Sequence, residues 1–167
     1  MNTPSFNPLF SLKFLTSVPA WLLALSILLI GSLHCDARLG ETVAELEARY
    51  GKPLGTQKPT LAAFERRIVY SFRGMKIAVE FIGGKAATES YKSDTKDPLS
   101  KADFEAALEV NKGTSSWELN KTYADGVAEW KRKDGQGEAV RYPDRGFFIL
   151  SAEAAKHFDK VEKTRGF

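Results

Sequence analysis

The chain has very few of the side chains on which enzymes and metal sites depend. Its 167 residues include one cysteine, Cys35, and two histidines, His34 and His157. No cysteines and histidines are spaced as zinc ligands, and no Ser, His and Asp are arranged in a way that marks a triad. Gly83-Gly84 is not a phosphate loop, because neither a Lys-Ser/Thr pair nor a helix follows it. His157 falls near the end of a predicted helix, where an exposed or capping role is expected rather than that of a base. Asp103 and Glu105 lie two apart, and residues so spaced on a helix do not face each other. These absences predict no catalytic residue, no metal and no cofactor.

An excess of one charge is lacking as well. The net charge is only +3, and acids and bases alternate along the chain. A nucleic-acid reader concentrates its bases in a stripe, so nucleic acid is not an expected partner. Apolar and charged fractions of 43% and 27% are those of an ordinary globular protein.

Residues 14–33 are the exception, a run without a single charge. Lys13 precedes it, and no acid occurs before Asp36. A basic start, an apolar middle and a small-residue exit describe a secretory signal peptide. Cys35-Asp36-Ala37 supplies the small residues, so cleavage is expected between Ala37 and Arg38. The competing reading is an uncleaved anchor, since about twenty apolar residues span a bilayer. Pro19 and the compact exit favour cleavage. Lipidation of Cys35 is disfavoured by His34, which stands where a small residue is required. Cleavage removes Lys13 and Asp36 together, leaving the +3 balance unchanged, and also removes the only cysteine. The remaining domain, of about 130 residues, must be held by its core alone, which is feasible at that size. Export without disulfides fits the periplasm or the outer side of a bacterial envelope.

The folded part begins at Leu39. Thr42 and Glu45 form a capping box; Val43, Leu46 and Tyr50 share one helical face; Gly51 and Pro53 end the helix. Leu54 to Thr60 reads as loop. Arg67–Phe72 and Lys76–Phe81 alternate as strands, with Ile68, Tyr70 and Phe72, then Ile77, Val79 and Phe81, on the buried side. Gly83-Gly84 is a hairpin signal, and Ala86–Tyr91 returns as a third strand, giving a meander with one buried face. Lys92–Pro98 is a polar linker. Ser100 and Asp103 cap a second helix, with a Leu99–Phe104 staple and Gly113 at its end. Strands follow at Trp117–Tyr123, Gly126–Lys133, Glu138–Tyr142 and Phe147–Leu150, then a helix over Ala152–Phe158 and a frayed tail. The pattern predicts an α+β fold of short helices on antiparallel meanders. Its segments are a leader at 1–37 and two similar units at 38–92 and 99–167, with Leu39 and Tyr70 recurring as Leu99 and Trp130.

Gly40-x-Thr42, Gly51-x-Pro53, the strand aromatics Tyr70 and Phe81, and the Phe81-x-Gly-Gly-Lys85 hairpin together resemble the SmpA/OmlA family. Those are small outer-membrane lipoproteins of the β-barrel assembly machinery, and the resemblance covers about Leu39 to Tyr91. The possible duplication also resembles the β-lactamase-inhibitor-protein fold, in which two helix-and-sheet units stand in tandem. That fold implies partner binding through an aromatic-rich sheet surface. The chain departs from the assembly proteins in lacking an acceptable lipidation site and in having a second half.

The candidate partner surface is Trp117, Tyr123 and Trp130 with Lys131, Arg132 and Lys133. Aromatics are enriched where partners bind, and basic neighbours would suit an acidic protein, peptidoglycan or anionic lipid headgroups. The alternative places both tryptophans in the second meander's core and makes the basic triplet a solvated edge that discourages aggregation. Asn120-Lys-Thr122 also fits a glycosylation sequon. The function expected is an exported, non-catalytic envelope binding or assembly module. A membrane contact is expected only through residues 14–33 if they are retained. The alternatives are an envelope hydrolase with an unidentified site and a purely structural domain.

Overall fold

Two short helices begin with the same device. A computed structural model describes residues 39–165; the leader, its charge-free run and the Ala37–Arg38 cleavage point lie outside them. In α1 (Val43–Tyr50), the Thr42 hydroxyl accepts from the Glu45 N–H at 3.4 Å, and the Glu45 carboxylate accepts from the Thr42 N–H at 2.7 Å. In α2 (Lys101–Val110), Ser100 and Asp103 make the same reciprocal pair at 3.1 and 2.9 Å. Each box satisfies N–H groups that a helix start leaves without internal partners. Asp therefore serves at this position as Glu does.

The strands are β1 (Gly55–Gln57), β2 (Arg67–Phe72), β3 (Met75–Ile82), β4 (Lys85–Ser93), β5 (Trp117–Thr122), β6 (Ala128–Arg132), β7 (Gly137–Tyr142) and β8 (Gly146–Ser151). They form one antiparallel sheet in the order β1-β2-β3-β4-β8-β7-β6-β5. Two meanders thus meet where β4 pairs with β8, from Thr88↔Leu150 to Tyr91↔Phe147. A final helix, α3, runs from Ala152 to Arg165. The fold is α+β.

Both helices α1 and α2 lie against one face, here the inner face. Leu46 and Tyr50 of α1, and Phe104, Ala107 and Leu108 of α2, are buried with Tyr70, Ile77, Val79, Phe81, Tyr91, Phe147 and Ile149 from the strands. Full burial of one large apolar side chain stabilises by roughly 1.5–3 kcal/mol. Aromatic rings stitch the seam between meanders: Tyr91 stacks on Phe147 at 4.5 Å, and Phe104 meets Phe147 edge-on at 5.1 Å.

The other face is covered too, which corrects the expectation of one buried face. Phe64, Ala87, Leu150, Ala154 and Ala155 form a second core there, and Phe158 of α3 reaches Phe64 at 5.8 Å. Glu80 alternates outward as the pattern requires, yet it is only 4% exposed. The segment between β1 and β2 lies against it and donates the Thr60 N–H to its carboxylate at 2.5 Å. The neighbouring Glu65 carboxylate accepts the Gly83 and Gly84 N–H groups at 2.8 and 3.1 Å, fixing the β3–β4 turn.

Several details differ from the pattern. Gly55–Gln57, read as loop, adds an edge strand beside β2. The α2 helix ends at Val110 rather than near Gly113, because Asn111 turns inward as its C-cap. The frayed tail is instead the continuation of α3 to Arg165. Gly51 ends α1, but with φ 82° and ψ −166° rather than in the left-handed helical region. That extended conformation at positive φ is essentially open to glycine alone. Nothing lies within 4 Å of where a Cβ would stand. Gly51→Ala is therefore expected to cost about 1–2 kcal/mol from backbone strain alone, measured by urea denaturation. A change below the error of that measurement would mean that the turn relaxes freely.

Candidate functional site

Strand pleating divides the six expected surface residues between two faces. Trp117 and Trp130 point to the inner face and are partly buried against its core. The Trp117 indole donates to the Leu108 carbonyl at 2.9 Å, and the Trp130 ring lies 4.6 Å from Phe104. Both therefore help dock α2. Arg132 shares their face and donates to the Asn111 carbonyl at 3.2 Å and to Asp134 at 2.8 Å. Lys131 points the other way and lies 3.4 Å from Glu138. Lys133, beyond the strand end, is exposed and 3.9 Å from Glu118. Tyr123 is 38% exposed, its hydroxyl donating to Glu129 at 2.7 Å while the Lys121 ammonium sits 4.1 Å from its ring. The structure thus brings Tyr123 and Lys131 together on the outer face and sends the tryptophans inward.

Tyr123 and Lys131 border a cleft of about 460 Å³ between α3 and the outer face of β6, β7 and β8. Val140, Phe148 and Leu150 line it from the strands, and Phe158 from α3. Tyr142 stands 5.8 Å from Phe148. Asp125, Glu129, Glu138 and Asp159 contribute carboxylates, against the single ammonium of Lys131. The cleft is therefore aromatic and acidic rather than aromatic and basic. Sequence reasoning missed it because Val140, Tyr142 and Phe148 belong to different strands and α3 supplies one wall. The available signal was the alternation in β7 and β8, which leaves Tyr142 and Phe148 facing away from the inner core.

Three of the cleft's four carboxylates are held in local pairings. Glu129 accepts from Tyr123, Glu138 faces Lys131, and Asp125 accepts the Val127 N–H at 3.1 Å in its own turn. Outside the cleft, three groups are shifted from their ordinary pKa. Thr42, through its N–H and then its hydroxyl, lowers that of Glu45. The Arg132 guanidinium and then the Gln136 N–H lower that of Asp134. Burial raises that of Tyr70, and Glu47 adds to the effect. Capping, turn formation and burial account for all three.

The Tyr70 hydroxyl has no hydrogen-bond partner among the described residues. A buried unpaired hydroxyl costs more than it returns, so Tyr70→Phe is expected to leave stability unchanged or raise it by up to about 1 kcal/mol. A loss beyond that in thermal denaturation would reveal a partner for the hydroxyl.

One further residue was not singled out by its sequence. Glu89, in the middle of β4, is completely buried. It accepts from the Tyr50 hydroxyl at 3.3 Å, the Asn111 amide at 3.2 Å and the Tyr91 hydroxyl. These partners come from α1, the C-cap of α2 and β4 itself. Its role is to hold elements together, not to meet a ligand. His157, half-buried, lies in the middle of α3 rather than near its end, since that helix continues to Arg165. Asp103 caps α2, and Glu105 pairs with Lys101. Among the described residues, no three His, Cys, Asp or Glu converge as metal ligands, and no helix is long and apolar enough to cross a membrane.

No family model matches the chain, and no curated protein matches it. Among solved structures, it is similar to a cysteine-rich secretory protein from Staphylococcus aureus, at 12% identity and a TM-score of 0.39. That likeness covers 69% of this chain and 45% of the other.

Proposed function

We propose that the chain is an exported, non-catalytic binding module of a bacterial cell envelope, and that its partner docks in the outer-face cleft. The observation that carries this reading is the cleft itself, an open concavity with aromatic walls and an acidic rim on a rigid sheet. Three of its four carboxylates, Glu129, Glu138 and Asp125, are tied to Tyr123, Lys131 and the backbone rather than set as an acid and base. Four carboxylates against one lysine suit a partner presenting basic and apolar groups.

The charge-free run at 14–33 supports export, with the mature chain starting at Arg38 or residues 14–33 kept as an anchor. The order of elements supports two similar units: α1 precedes β1–β4 as α2 precedes β5–β8. Tyr70 and Trp130, sixty residues apart, both contribute to the inner core. This arrangement is consistent with a doubled SmpA/OmlA-like unit, and an assembly-machinery subunit is accordingly one candidate partner.

Photocrosslinkers placed at Tyr123, at Asp159 and at Lys101 on the opposite side test the proposal in intact envelopes. Recovery of one basic envelope protein from the first two positions alone is the expected result. Equal recovery from all three, or from none, refutes the cleft as the docking site. N-terminal sequencing of the exported protein should begin at Arg38, and an intact Met1 would establish the anchor instead.

A further inference from the structure

The two edges of the sheet are not alike. The β1 edge is three residues long, whereas β5 is twice that, and its residues from Glu118 to Thr122 are all exposed. Among the described residues, β5 pairs on one side only, with β6. Among the described residues the large exposed apolar side chains are Leu54, Leu119 and Tyr123; Leu119 lies on this edge and Tyr123 directly follows it. Leu119 lies beside the partly buried Trp130 on the inner face, opposite it in the ladder, and is 57% exposed.

The charges along β5 are arranged unusually. Residues three apart on a regular strand point to opposite faces. Here Asn120 is an extra residue in a β-bulge, so that Glu118 opposes Lys131 while Lys121 opposes Glu129. Lys131 and Glu129 are two apart on β6 and share a face. The bulge therefore brings Glu118 and Lys121 to the same side. An antiparallel copy of the strand, related by a twofold axis between Leu119 and Asn120, then sets Glu118 opposite Lys121 of its mate, twice. The two Leu119 side chains flank the axis on the inner face and shield each other.

We propose that β5 is a self-association edge, and that a second copy of this chain pairs there to extend the sheet across a twofold axis. A lysine on an edge strand, like a bulge, ordinarily discourages such pairing. A lysine does so by facing another charge of its own sign, whereas in this register it faces an acid. Cross-strand opposite charges attract and like charges repel. A contact made by one six-residue strand is expected to bury less than the roughly 1,200 Å² of stable complexes, so the association is weak and reversible, and it loosens as salt rises.

Sedimentation velocity of the full chain in mild detergent, over concentrations up to about 1 mM, measures it. The wild type should dimerise with concentration. Lys121→Glu, which puts an acid opposite Glu118, should weaken dimerisation at least about tenfold, a shift of some 1.4 kcal/mol. The double variant Glu118→Lys, Lys121→Glu restores both pairs and should recover wild-type behaviour within about threefold. Within the chain Lys121→Glu faces Glu129, and Glu118→Lys faces Lys131 and Lys133, so the variants should melt somewhat lower than the wild type in dilute solution, and dimerisation is compared where each is fully folded. A wild type that stays monomeric throughout overturns the proposal, as does a dimer indifferent to Lys121→Glu. A double variant no better than the single one overturns the register. The docking cleft on the outer face is tested separately by the crosslink from Asp159, which lies on α3 away from the β5 edge.

Discussion

Gly146→Ala is expected to abolish folding or to cost about 4 kcal/mol, the largest loss among Gly→Ala changes at the described glycines. Gly146 opens β8 with φ 102°. A Cβ there would stand 2.0 Å from the Tyr91 carbonyl oxygen and 3.1 Å from its carbon. The obstacle is backbone on a central strand, so no flexible side chain can swing away. Tyr91↔Phe147 is the last pair of the β4–β8 ladder, and relief of the clash requires that ladder to part at its end. The Tyr91–Phe147 stack and the Phe104 contact beneath it would part with it. Gly51→Ala is the natural control, because that glycine also has positive φ but open space around it. The difference between the two variants in urea denaturation isolates the clash from the backbone strain. If Gly146→Ala loses no more than Gly51→Ala, the seam is looser than the register implies.

That seam is also what the sequence hides best. Local features were legible because their causes are local. Thr42 with Glu45, and Ser100 with Asp103, mark helix starts through contacts spanning three residues. Ile77, Val79 and Phe81 announce their strand by alternation, and Gly83-Gly84 announces its turn. The pairing of β4 with β8 has no such signature. Its partners are nearly sixty residues apart, and Gly146 reads only as the end of a turn. The outer face was misjudged for a related reason. Glu80 looks solvated by alternation, and its burial is explained by the distant Thr60 N–H at 2.5 Å together with the Thr88 hydroxyl at 3.4 Å and the Arg67 guanidinium at 3.8 Å. The candidate surface failed as one patch for a cause that was legible. Trp130 and Lys131 are adjacent on one strand, and adjacent strand residues face opposite ways. The tryptophans went inward because α2 offered Phe104 and the Leu108 carbonyl to receive them. The acidic cleft needs α3 and three strands assembled, so its residues could not be grouped beforehand.

Glu89→Ala is expected to cost about 3–4 kcal/mol, from lost hydrogen bonds together with the cavity left by the side chain. The carboxylate sits opposite Val79 on one side and Ile149 on the other, so it occupies the middle of the sheet beneath both inner helices. Tyr50 reaches it from the last turn of α1. Asn111 reaches it from the end of α2 and also binds the Ala107 carbonyl at 3.1 Å. The Asn111 amide oxygen in turn accepts the Leu39 N–H at 3.0 Å, at the start of the described chain. One side chain therefore joins the first helix, the second helix and the entry of the chain to the central strands. Glu89→Gln keeps the volume and one accepting oxygen, so its loss should be smaller, about 1–2 kcal/mol. A double-mutant cycle with Asn111→Ala separates a shared clasp from independent packing. Residues in one hydrogen-bonded network are non-additive by about 0.5–3 kcal/mol, whereas independent sites add to within about 0.5 kcal/mol. A coupling of at least about 1 kcal/mol is expected. Simple addition would mean that α1 and α2 are docked separately, each by its own apolar face, and that the buried carboxylate does not link them.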